Sequence, residues 1–340
     1  MNKKKVKINF KYFWPGFDKK DNLFVNLLME DYDVEISDNP DYLFFSVFSN
    51  EGQTTPKFNL KHVVKNYFST TLDKVSPSTF AFLKSNFYKP KTYAFPEIKT
   101  NAVKIFYTEE NVVPEMEKCD WAFSFEYDEE FNNLKHMRLP CYVFHSKNFG
   151  EELIKTNNLQ KSNIQIKPKF CNFIYSAQNS NRENFFKKLS KYKRIDSPGK
   201  RLNNSPPIGQ FESAQKSRAH NNWPDQKIEF LKDYKFTIAF ENNSRIGYTT
   251  EKIYHPMTAN SIPIYWGNPK IERDFNTKSF INAHEYKNLS DLVERIIEID
   301  NNEDLYYKYL REPWFNNNSP SKYFNKERLK KRLAEIIEYN

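Results

Sequence analysis

The sequence predicts an α/β protein of two domains, each a sheet with helices on its faces. Three observations point there. Short apolar strand-like runs alternate with helical spacing as far as residue 128. Strand, turn, helix and strand then recur between residues 228 and 267 as one βαβ unit. A chain of 340 residues is also long enough to enclose two separate cores.

In chain order, "VKINFKYF" (6–13) reads as a strand and "NLFVNLLME" (22–30) as a short helix. "DVEI" (33–36) and "DYLFFSVF" (41–48) read as strands parted by the turn residues "SDNP". "AVKIFYTEEN" (102–111) is a strand running into acidic residues, and "DWAFSFEYD" (120–128) is another. The pattern fades into polar sequence over 150–168, so the domains are expected to divide as 1–158 and 159–317. "NRENFFKKLSKYKRID" (181–196) reads as a helix with Phe185, Phe186 and Leu189 on one face. Residues 197–227 are polar and proline-containing, as in a lid or other functional loop. Helix "KIEFLKDY", strand "KFTIAF", helix "TTEKIYHPMTA" and strand "SIPIYWG" follow. "LSDLVERIIEI" (289–299) has helical spacing with Ser290 as its expected N-cap. The last segment, 318–340, carries Leu329, Leu333, Ile336 and Ile337 on one stripe and is expected to pack on the body as an amphipathic helix. Its basic face suits peripheral contact with a membrane.

Charged residues at 28% and a mean hydropathy of −0.82 describe a globular rather than a disordered or membrane-spanning chain. No stretch reaches bilayer-spanning length, and the basic start turns polar too soon for a signal peptide. Cys119, Cys141 and Cys171 are too few and too scattered for a disulfide framework or a zinc site. A reducing, cytoplasmic setting is expected. The net charge of +9 favours an anionic partner: nucleic acid, acidic lipid or a phosphorylated small molecule. No nucleic-acid motif accompanies it, and the basic residues are spread along the chain.

The choice among these turns on "FENNSRIGYTTEKIYHP" (240–256), which lies between a strand and a helix start. In open α/β sheets, ligands bind beyond the carboxyl ends of strands. A helix N-terminus presents free N–H groups and partial positive charge to a phosphate. Thr249 or Thr250 is the expected N-cap, and Lys252 adds a full charge. Glu251 would repel phosphate but suits ribose hydroxyls. Charged residues in a first helical turn are also common for purely structural reasons, since an acid there complements the dipole.

"YKFTIAFEN", "GYTTEK", "SIPIYWGNP" and "DFNTKSFIN" together resemble the donor-binding block of the α-1,3/4-fucosyltransferases of glycosyltransferase family 10. "IFYTEENVVP", "DWAFSFEYD" and "MRLPCY" extend the resemblance upstream. It implies a GT-B fold, two Rossmann-like domains facing across a cleft, with the acceptor on the N-terminal domain and the donor on the C-terminal one. It implies inverting transfer of L-fucose from GDP-fucose to the 3- or 4-hydroxyl of an N-acetylglucosamine-containing glycan. By the motif match Glu251 holds the ribose, Lys252 and Tyr248 face the diphosphate, and Arg182 grips the phosphates; Glu241 and Asn242 belong to the same donor block. The family's base falls on Glu110, in a motif usually read Y-T-G-E-N; here Glu109 replaces the glycine. Pro198 of "DSPGK" likewise stands where the family tends to paired glycines.

Glu126 and Asp128, in the acidic run "EYDEEF", are candidate acceptor-binding residues. His255 reads as a packed or exposed histidine, and Tyr265 and Trp266 as core or pocket wall. The "DYD" at 31–33 has the letters of a metal motif but sits on the wrong rim of its sheet. No metal or other cofactor is therefore expected. The partners expected are GDP-fucose and an oligosaccharide or lipid-linked glycan at the inner face of a bacterial membrane, and not nucleic acid. A related transferase using another nucleotide sugar is the alternative that phosphate physics alone leaves open.

Overall fold

The structure is a computed structural model that describes residues 3–48, 93–155, 167–218 and 222–339. The first sheet holds β1 (Lys5–Lys11), β2 (Asp33–Ile36), β3 (Tyr42–Phe45), β4 (Val103–Tyr107), β5 (Trp121–Ser124) and β6 (His136–Arg138). They run parallel in the order β2-β1-β3-β4-β5-β6. The second sheet holds β7 (Lys169–Asn172), β8 (Ile195–Asp196), β9 (Tyr234–Phe240), β10 (Ile262–Trp266) and β11 (Ile281–Asn282). These are parallel too, in the order β11-β10-β9-β7-β8.

Each sheet reverses once. The chain leaves β1 for β2 on one side and returns to β3 on the other; β7, β8 and β9 repeat the manoeuvre. Crevices therefore open beyond the carboxyl ends of β1/β3 and of β7/β9, the places where such sheets bind ligands. Burial follows position: β1 alternates, with Val6, Ile8 and Phe10 turned inward and lysines outward, whereas β9, covered on both faces, is buried at almost every residue.

Several elements differ from expectation. The helix expected over 181–196 ends at Leu189, and Ile195–Asp196 pairs with β7 instead. Residues 197–227 contain a short helix, Ala214–Arg218, and the first half of a second, Trp223–Leu231, with Pro224 in its opening turn where no N–H is needed. The strands expected over 41–48, 102–111 and 120–128 stop at Phe45, Tyr107 and Ser124. Asn288, not Ser290, caps the helix Leu289–Asn301, accepting from Ser290 N at 2.7 Å and Asp291 N at 3.1 Å. The expected boundary at 158/159 lies outside the described residues.

The terminal helix, Lys326–Glu338, folds back on the first lobe with Leu329, Leu333, Ile336 and Ile337 buried. The Tyr42 hydroxyl donates to the Ile337 carbonyl at 2.8 Å, and Lys326 and Lys330 pair with Glu30 at 2.7 and 3.1 Å. One apolar cluster runs through both lobes.

Candidate active site

The crevice between β7 and β9 is built around Tyr175. Its hydroxyl lies 2.8 Å from the Ile238 carbonyl and 3.1 Å from that of Phe240, and accepts from Phe240 N at 2.8 Å. The guanidinium of Arg182 stacks 4.2 Å over the Tyr175 ring. Its Nε donates to the Phe240 carbonyl at 3.1 Å and its Nη2 to Asn242 Oδ1. Asn179, the N-cap of the helix Ser180–Leu189, accepts from Arg182 N at 3.3 Å and donates to the Asn242 carbonyl at 3.1 Å. A buried arginine held from three sides is a pre-oriented cation.

Across the crevice, Thr250 caps the helix Glu251–Thr258, accepting from Lys252 N. Glu241 is fully buried and takes three contacts from Thr250, its N at 2.7 Å and its Oγ1 at 2.9 and 2.8 Å, together with Lys252 Nζ at 3.2 Å. Burial would loosen the Lys252 proton, but the negative charges of Glu241 and Glu251 outweigh it and raise the pKa; Arg182 pulls the other way. Burial pushes the Tyr175 pKa up to about 12, and the charges of Arg182 and Lys252 both oppose that rise. Burial opposes ionisation of Glu251, yet Lys252 and Lys227 hold its carboxyl well below the usual range. Arg182, Glu241, Asn242, Glu251 and Lys252 thus lie together where β9 meets the helix Glu251–Thr258.

Tyr248 lies at the boundary between the lobes, edge-on to Phe125 of the first lobe with centroids 5.2 Å apart. Burial raises its pKa, and the charges of Glu241 and of Glu110 from the first lobe add to the effect. Glu110 follows β4 on a turn in which Thr108 Oγ1 accepts from Glu110 N at 3.1 Å. Tyr93 hydrogen-bonds Glu110, and its own pKa is pushed up to about 12, by burial first and the Glu110 charge second. Glu109 pairs with His145 at 2.7 Å.

Glu126 is ion-paired with Arg245 of the second lobe, whose Nη1 also donates to Asn111 Oδ1 at 3.3 Å. Burial raises the Glu126 pKa against the pull of Arg245. Asp128 uses one oxygen on Arg138 N and the other on Arg328 Nη2, each at 2.6 Å. Of the remaining candidates, His255, Tyr265 and Trp266 are buried in the second lobe, and Asp31 of "DYD" pairs with Lys330 at 3.0 Å, behind the amino end of β2.

A buried polar network, which sequence reading did not assemble, holds the lobes together. Arg138, fully buried, pairs with Asp274 at 2.7 Å and donates to the Gly247 carbonyl at 3.1 Å and to that of Phe125. Asn268 Nδ2 donates to the Tyr127 hydroxyl at 3.0 Å and to Thr249 Oγ1 at 3.1 Å, while its Oδ1 accepts from Gly247 N at 2.9 Å. Gly247 has φ +82°, and a Cβ there would stand 2.5 Å from the Phe125 carbonyl, so glycine alone allows this approach. The only signal in the sequence was Arg138 within "MRLPCY"; Asp274 and Gly247, its partners across the boundary, lie more than a hundred residues downstream.

The glycosyltransferase family 10 (fucosyltransferase) C-terminal model matches residues 164–336, and the α-(1,3)-fucosyltransferase FucT N-terminal domain matches 8–70 and 62–145. The α-(1,3)-fucosyltransferase FucT of Helicobacter pylori is 29% identical over 253 residues, 66% of this chain and 50% of that one. The α-(1,3)-fucosyltransferase B of Drosophila melanogaster is 38% identical over 131 residues, 38% of this chain and 29% of that one. The chain thus spans half or less of these relatives' lengths. A crystal structure of an α1,3-fucosyltransferase with GDP-fucose superposes with a TM-score of 0.67 at 20% identity, covering 99% of this chain and 92% of that one, so the GT-B fold is shared. With the family model spanning the whole β7/β9 crevice and its helix, this chain belongs to glycosyltransferase family 10.

Proposed function

We propose that the chain transfers L-fucose from GDP-fucose, with inversion, to the 3- or 4-hydroxyl of an N-acetylglucosamine-containing glycan. The observation that supports this reading is that Arg182, bonded to Phe240 and Asn242, and Lys252, paired with Glu241, both gather where β9 gives way to a capped helix N-terminus. Breaking the anomeric bond builds charge on the departing diphosphate. Two fixed cations and free helix N–H groups stabilise that charge without a metal, because they are already oriented before the reaction. Glu251 takes the ribose hydroxyls. Glu110, oriented by Tyr93, removes the acceptor proton as the hydroxyl attacks from the face opposite the leaving group. Glu126 lines the acceptor side, and Asp128, occupied by Arg138 and Arg328, supports it from behind.

The acceptor we favour is an oligosaccharide or lipid-linked glycan of Lewis or lipopolysaccharide type, met on the cytoplasmic side of a bacterial membrane. The chain's net charge of +9 supports peripheral contact there. No helix among the described residues is long and apolar enough to cross a bilayer.

A donor panel tests the reading: full chain, N-acetyllactosamine and several nucleotide sugars, with and without chelator. Turnover is expected with GDP-fucose, undiminished by EDTA. Glu110→Ala should lower the rate at least about a hundredfold while leaving GDP affinity intact. Lys252→Ala should weaken GDP binding about tenfold or more, as expected for a lost charge-assisted contact. Turnover with another sugar donor alone, or full activity in Glu110→Ala, would refute the assignment.

A further inference from the structure

We propose that Glu109, Cys141 and His145, closed by Glu251 from the opposite lobe, form a binding site for a zinc-type divalent cation, and that its occupation competes with the nucleotide donor. The second half rests on the donor reading of Glu251 given above.

The geometry carries the first half. Cys141 opens the short helix Cys141–Phe144 and His145 ends it, so the two side chains, four residues apart, share a face. Glu109 meets that face from the turn after β4. One ligand atom from each residue lies within 4.8 Å of the others. Cys141 Sγ also points to Glu251 Oε2 at 3.6 Å, bringing a fourth ligand from the second lobe. Zinc holds sulfur, nitrogen and carboxylate oxygen at about 2.0–2.3 Å in a tetrahedron, so its ligand atoms stand roughly 3.3–3.8 Å apart. For the ion to enter, the Glu109–His145 contact of 2.7 Å opens and the thiol is drawn inward. A thiolate, an imidazole and carboxylates form a ligand set suited to zinc rather than to magnesium or calcium.

The charges balance. The cation brings two positive charges; the Cys141 thiol gives its proton to solvent as the metal–sulfur bond forms, and a charged His145 gives up a second as its nitrogen coordinates. Lys227, 3.6 Å from Glu251 Oε1, remains to offset the second carboxylate. Two positive charges enter and two protons leave, so the buried site carries no excess. Glu251 drawn to the metal is no longer presented to a ribose.

The site also contains a departure from the family pattern, because Glu109 stands where the resemblance expects glycine. Substituting that glycine removes one ligand and leaves Glu110 in place.

The test uses the full chain, stripped with chelator, in equilibrium dialysis against Zn²⁺ and in Co²⁺ titration followed by absorbance. One Zn²⁺ per chain and a thiolate-to-cobalt charge-transfer band are expected. Glu109→Gly and His145→Ala, checked for folding by circular dichroism, should each weaken uptake at least about tenfold. A Cys119→Ser/Cys171→Ser variant should keep both the uptake and the band. GDP affinity measured with and without Zn²⁺ should fall in its presence for the wild type and stay constant for Glu109→Gly. Failure of the folded wild type to take up Zn²⁺, or uptake unchanged in both ligand variants, overturns the site. Zinc uptake without any effect on measurable GDP binding overturns the competition. Zinc uptake by a chain that binds no GDP even when zinc-free upholds the metal site and refutes the donor reading instead.

Discussion

His136 and His284 tie single residues to the acid stability of the molecule. His136 is buried, with Nε2 2.8 Å from Ser124 Oγ, and burial, reinforced by the charge of Arg332, pushes its pKa down to about 3. Burial also pushes His284 down to about 4, with partial relief from the Gly267 carbonyl. Both are neutral in the folded chain at pH values where the unfolded chain would protonate them, near 6.5. Stability from these residues is therefore complete above about pH 6.5 and declines as pH falls toward 4 and then 3. Each contributes a slope of at most about 1.4 kcal/mol per pH unit in that window. Urea unfolding at a series of pH values should show the decline, and His136→Gln should flatten it; a slope unchanged by that variant would refute the assignment. The residues of the donor block were legible because their chemistry is local: Phe240, Glu241, Tyr248, Glu251 and Lys252 sit within one strand–turn–helix. Tyr93 was not legible, because nothing near it in sequence indicates that its hydroxyl meets Glu110.

At the scale of elements, caps and ends decide where periodic patterns begin and stop. The helix Leu289–Asn301 was predicted from its apolar spacing, yet its first turn is set by Asn288, whose side chain bridges two backbone amides. Asn288→Ala should cost about 1 kcal/mol. A urea titration reads this as a lower midpoint at unchanged slope, and Ser290→Ala, the variant the sequence alone would nominate, should have less effect. Short strands were the elements the sequence concealed. β6, β8 and β11 have three, two and two residues, too few for an alternation to register, and are strands only because a neighbour supplies the ladder. The loop over 197–227 hid two helices because its few apolar residues carry no clear period.

At the scale of the whole molecule, the two lobes meet through charge as well as apolar surface. Arg138 and Asp274 are both buried and pair across the boundary, with the Tyr127 ring 3.9 Å and the Tyr323 ring 4.6 Å from the guanidinium. Removing one partner leaves an uncompensated buried charge, so Arg138→Met or Asp274→Leu alone should cost about 3–5 kcal/mol. The double variant should recover much of that loss, since two apolar groups of similar size leave no charge behind. A double-mutant cycle on denaturant unfolding measures the coupling; strictly additive losses would show that the pair does not act as a unit. The pair also holds Gly247, and with it the approach of Tyr248 to Phe125, so the same variants should weaken GDP binding under conditions where the chain is still folded.

Alone, the sequence determined the fold class, the second lobe's strand–turn–helix and the residue types gathered there, because these depend on periodicity and on contacts between near neighbours. Only the tertiary structure decided that Glu109 pairs with His145 while Glu110 meets Tyr93, that Asp128 is tied to Arg328, and that Cys141, His145 and Glu251 converge. Those outcomes follow from how parallel strands far apart in the chain are laid side by side, which brings together charged residues that no single segment could pair.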